Sequence, residues 1–86
     1  MEEAAELEPP RTLVEADHAL ARLRPRQQAP LAEWLTYHQQ AAAVYAEIAE
    51  IDRGHHHEAL FMAEYELKRA QGIEAQISAQ RPVKEP

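Results

Sequence analysis

The chain contains no cysteine and no asparagine among its 86 residues. The first absence excludes a disulfide scaffold, thiolate metal sites and a cysteine nucleophile, and it suits a reducing compartment. The second excludes N-glycosylation. Gly54 and Gly72 stand alone and far apart, so there is no glycine-rich loop to cradle a phosphate. The aliphatic hydroxyls are only Thr12, Thr36 and Ser78, which leaves little for serine-type nucleophilic chemistry. The strongly apolar runs are short, far below the ~20 residues that a spanning helix needs. The first residues are acidic, unlike a secretory or transit signal. These absences point to a cytoplasmic protein that is not an enzyme and has no membrane segment.

What is present is acidic and helical. The formal net charge is -6. Residues 1–10 hold Glu2, Glu3, Glu6 and Glu8 with no base. An acidic chain is repelled by phosphate backbones, which disfavours nucleic acid as a ligand. Arg22, Arg24 and Arg26 run against that trend. They read either as a solvated helix end favoured by the helix dipole or as the basis for a DNA-associated transcriptional regulator.

Residues 1–11 read as a disordered acidic tail, closed by Pro9-Pro10. Thr12-Leu-Val-Glu15 is a capping box that starts a helix. Leu13, Ala16, Leu20 and Leu23 share one face, and Pro25 ends the helix near Leu23. Pro30 suits the first turn of a second helix. There Leu31, Trp34, Leu35, His38, Ala41, Ala42, Tyr45, Ile48 and Ala49 form one stripe, predicting a helix over 31–53. A further stripe, Ala59, Leu60, Ala63, Leu67, Ala70, Ile73 and Ile77, predicts helix to about residue 79, followed by a disordered tail over 80–86. The domain is therefore one all-α unit over 12–79, with two possible paths at Gly54. In one, Gly54 takes a left-handed cap and the chain doubles back as a hairpin, giving a three-helix unit. In the other, residues 31–79 form a single helix about 70 Å long, which dimerises to bury its stripe.

His55-His56-His57-Glu58 is the most conspicuous run. Imidazole and carboxylate are ligands for zinc and related ions. Consecutive helical residues point about 100° apart, so three adjacent histidines do not converge on one ion. Only spaced pairs, His55 with Glu58 or Asp52 with His55 or His56, suit a site. A metal-binding protein using Asp52, His55, His56, His57 and Glu58 is thus one alternative, set against a polar helix start. Glu15-Ala-Asp-His18 has the spacing of di-iron bundles but occurs once, so it reads as a solvated face. His38 lies on the apolar stripe, where a hydrogen-bonded core histidine is expected. Trp34, Tyr37, Tyr45, Phe61, Met62 and Tyr65 are the large contact residues. Leu60, Phe61 and Met62 are consecutive and cover too wide an arc to be buried together. Tyr37, Phe61, Met62 and Tyr65 are accordingly the candidate partner-binding surface.

Gly54-His-His-His-Glu58-Ala59-Leu60 resembles the turn of a tetratricopeptide repeat. Glu47, Glu50 and Glu66 stand where that repeat has apolar or small residues, and there is no second copy, so the likeness supports only a helical hairpin. The segment running from Glu33-Trp34-Leu35 through His38 and Val44-Tyr45-Ala46 to Asp52-Arg-Gly-His-His-His-Glu-Ala-Leu60 resembles a family of short helical proteins from actinobacteria. That likeness spans about residues 12–78. It implies a bacterial cytosolic setting and carries over no catalytic residue. The leading expectation is a non-enzymatic protein, an adaptor or regulator, working through a protein partner or self-association and needing no cofactor. The zinc-type site and the DNA-associated regulator stand as alternatives.

Overall fold

The computed structural model of the chain describes residues 8–80. Of the tails expected at residues 1–11 and 80–86, residues 1–7 and 81–86 lie outside that range. Three α-helices, α1 (Leu13–Leu23), α2 (Leu31–Ile51) and α3 (His56–Gln80), are joined by the segment 24–30 and by a 3-10 turn, Arg53–His55. No strand occurs among the described residues. The fold is an all-α three-helix unit.

The ends of α1 follow from local chemistry. Thr12 is its N-cap, and the Thr12 hydroxyl accepts from the Glu15 N–H at 3.1 Å. Glu15 reaches back one residue further than a capping box requires, accepting from the Arg11 N–H at 2.8 Å. That bond orders part of the segment expected to be a disordered tail. Pro9 and Pro10 also lie along α2, where they form a small hollow with Val44, Glu47 and Ile48. Arg24, before Pro25, takes extended geometry and ends α1. Pro30 serves as the N-cap of α2 rather than its first turn.

The chain turns back after α2, so the single long helix is excluded: α2 and α3 pack side by side as a hairpin. The turn is not made as expected, however. Gly54 does not adopt positive φ. The direction changes at Asp52, whose φ of -101° and ψ of 73° leave helical geometry, and the 3-10 turn carries the chain into α3. The His55 N–H donates to the Asp52 carbonyl at 2.8 Å, closing the reversal without a left-handed residue.

Small side chains line the seam between the long helices. Ala41 and Ala49 of α2 and Ala59 and Ala70 of α3 are buried, which lets the two backbones approach closely. Ala16 and Leu20 of α1 complete the core with Tyr37, Tyr45 and Ile48. Ile48 is the largest fully buried side chain, so the core is thin, as the length implies. The buried face of α3 is rotated from the expected stripe. Leu60 and Leu67 are exposed, and Glu66 is buried between the turns carrying Ala59 and Ile73.

Side-chain bonds hold α1 against the hairpin at both ends. The Leu13 N–H, one of the free donors of the first helical turn, donates to the Asp52 carboxylate at 2.8 Å. The Leu20 carbonyl, in the last turn, accepts from the Tyr37 hydroxyl at 3.1 Å. The Tyr45 hydroxyl donates to Asp17 at 2.6 Å.

Candidate functional site

The histidine run sits at the closed end of the hairpin and is divided among different partners. His55 Nδ1 lies 2.9 Å from the Asp52 carboxylate oxygen that also receives Leu13. His56 Nδ1–H donates to the Ala49 carbonyl at 2.7 Å, satisfying an open carbonyl at the end of α2. His57 faces a hollow on the other side with Glu58. Among the described residues no three His, Asp or Glu side chains gather as metal ligands. Of the expected set the structure brings together Asp52 and His55, while His56 turns to the Ala49 carbonyl and His57 and Glu58 line the hollow, so the five residues do not converge. The Asp52 carboxyl is held below its ordinary value, chiefly by the Leu13 N–H; burial opposes this and His55 supports it.

The expected partner surface divides. Tyr37 does not belong to it: only 8% exposed, it packs in the core with its hydroxyl on α1. The reason is positional, because Tyr37 lies beside Ala41 and Ile48 on the face of α2 that receives α1. Its phenol is pushed up by burial and by the nearby Glu66 charge, against the opposing pull of Arg24. The Tyr45 phenol is raised by burial and by its bond to Asp17. Phe61 and Tyr65 lie one turn apart on α3 and are 67% and 48% exposed. Met62 is half-buried against the core. Leu13, Asp17, His57, Glu58, Phe61 and Met62 line a shallow hollow of about 500 Å³ between α1 and α3. Its lining is apolar at the centre, with Asp17 and Glu58 as its acidic members.

A second cleft, of about 360 Å³, lies toward the open end of the hairpin. Residue patterning does not single it out, since its walls come from the 24–30 segment and two helices. Arg24 follows α1, Gln27 and Ala29 lie in the linker, Trp34, Tyr37 and His38 come from α2, and Tyr65, Glu66, Arg69 and Ile73 from α3. His38 and Glu66 are 7% and 8% exposed. They face one another across the seam, with Nδ1 and Oε1 2.5 Å apart. The His38 ring stacks near Trp34, with centroids 5.8 Å apart, and the Arg24 guanidinium lies over the same indole at 5.4 Å. His38 Nε2 is buried and has no hydrogen-bond partner among the described residues. An unmatched buried polar atom of this kind costs about 1–3 kcal/mol. His38 is thus the hydrogen-bonded core histidine expected on the stripe, but only one of its nitrogens is satisfied. In the sequence Glu66 stands out only as a departure from the tetratricopeptide pattern; neither its burial nor its pairing with His38 is expected there.

Arg22, Arg24 and Arg26 are all exposed, and the Arg24 guanidinium lies over Trp34. No helix among the described residues is long and apolar enough to cross a membrane. No family model matches the chain, and neither a curated protein nor a solved structure matches it.

Proposed function

We propose that this is a non-enzymatic bacterial protein of the cytoplasm that works as an adaptor or regulator through the Phe61–Met62–Tyr65 face of α3. One observation carries the reading: Phe61 is two-thirds exposed at the lip of an apolar hollow. A large aromatic side chain left in water next to unfilled apolar surface is the usual mark of a contact site. The occupant that fits is a helix of a protein partner, offering one apolar side chain to the hollow and a Lys or Arg to Asp17 and Glu58. Acidic members around the hollow disfavour a second copy of this acidic chain. The cytoplasmic and bacterial parts rest on the absence of cysteine and on the actinobacterial resemblance.

The test uses a partner captured from the native cell, purified, and reconstituted with wild type and with the Phe61→Ala/Tyr65→Ala variant. We expect a defined complex with wild type and at least a tenfold loss of affinity, ~1.4 kcal/mol, in the variant, with helicity by circular dichroism unchanged. Equal affinity overturns the surface. A homodimer that dissolves in the variant overturns the partner and puts a second copy in its place.

A further inference from the structure

The cleft at the open end shares Tyr65 with the partner face, but its other walls do not belong to that face and it stands without the partner reading. We propose that it binds a small organic carboxylate with a flat or short apolar body. Three observations converge. The cavity, about 360 Å³, lies in the size range of small-molecule sites. Trp34 and Tyr65 give it aromatic walls, and Arg24 and Arg69 bring two positive charges to the lining against the one carboxylate of Glu66. Neither arginine has an ion-pair partner among the described residues. His38, more than nine-tenths buried, also lines the cleft and keeps Nε2 unpartnered.

The chemistry selects the ligand class. A guanidinium binds carboxylate in a planar, two-pronged geometry. The aromatic walls accept an apolar body and contribute little to a fully hydrated ion. The imidazole of His38 adds a hydrogen-bonding atom, Nε2, that no described protein group uses. Glu66 also lines the cleft and opposes any second negative group, so one carboxylate seated at the arginines fits better than a diacid.

Trp34 is the sole tryptophan, so its fluorescence reports on this cleft alone. The experiment titrates the full chain with 3-phenylpropionate and, in parallel, with its uncharged amide. We expect a saturable change with the acid, and binding of the amide at least tenfold weaker. Arg24→Gln/Arg69→Gln, both exposed positions, should weaken the acid at least tenfold. Arg22→Gln, outside the cleft, should leave it unchanged. Because removing Arg24 also alters the Trp34 signal itself, binding to each variant is confirmed by calorimetry. No saturable response up to about 10 mM, an affinity below any specific site of this size, overturns the proposal. So does equal binding of acid and amide, or undiminished binding by the double variant.

Discussion

The two ends of the helical hairpin treat polar groups in opposite ways. At the closed end, the Asp52 carboxylate receives the first N–H of α1 and meets His55, while His56 satisfies a carbonyl of α2. These side chains are spent on building the turn. At the open end His38 and Glu66 are buried together, yet Nε2 is left without a partner beside a cleft carrying two arginines. His55 and His56 each spend Nδ1 on the turn and lie nearer to solvent, so they read as structural however conspicuous the run looks. A half-satisfied buried histidine at a cavity is the better pointer to function.

The largest expected effect breaks the open end. Glu66→Ala leaves His38 buried with neither nitrogen matched, and should lower unfolding stability by about 3 kcal/mol. That is a large share of the ~5 kcal/mol that a small domain possesses. His38→Leu/Glu66→Leu should recover to within about 1 kcal/mol of wild type or exceed it, as apolar replacements of buried pairs do. Urea unfolding of the three proteins decides it; an unchanged midpoint in Glu66→Ala would remove the pair from the energetics of the fold.

Next comes the closed end. Asp52→Ala frees the first turn of α1, so amide exchange at Leu13 should accelerate while the α2–α3 seam stays protected. The pH dependence sharpens the point. The folded value of Asp52 is depressed below its ordinary 3.8, so its contribution is complete above that value and is lost as pH falls through the folded one. The variant should therefore show a shallower acid limb in thermal melts. An acid limb identical to wild type removes Asp52 from the tie.

The smallest effect concerns Gly54. Its backbone is not left-handed, and an added Cβ meets nothing within 4 Å. Gly54→Ala should be neutral or stabilise by about 0.4–1 kcal/mol by restricting the unfolded chain. A loss of stability in thermal denaturation would restore the glycine cap that the turn was expected to use.

Local signals were readable and distant ones were not. Thr12, Glu15 and Pro25 marked α1 because capping and proline geometry act over a few residues. The stripe from Leu31 to Ala49 marked α2 for the same reason. Tyr37 was misplaced because its burial depends on where α1 lies, which periodicity does not encode. The role of Asp52 was hidden because its main partner, Leu13, is 39 positions away. His38 was visible on its stripe, but Glu66 lay off the expected stripe of α3, so its burial and its pairing with His38 required the register of the hairpin.

That long bond from Leu13 to Asp52 also sets an order in time. An eleven-residue helix is too short to persist alone in water. Every group that anchors α1, namely Tyr37, Tyr45 and Asp52, lies downstream of it. On a ribosome α1 is made before its anchors, and it waits until the whole of α2 and its turn have emerged. It then joins a hairpin that is already assembling.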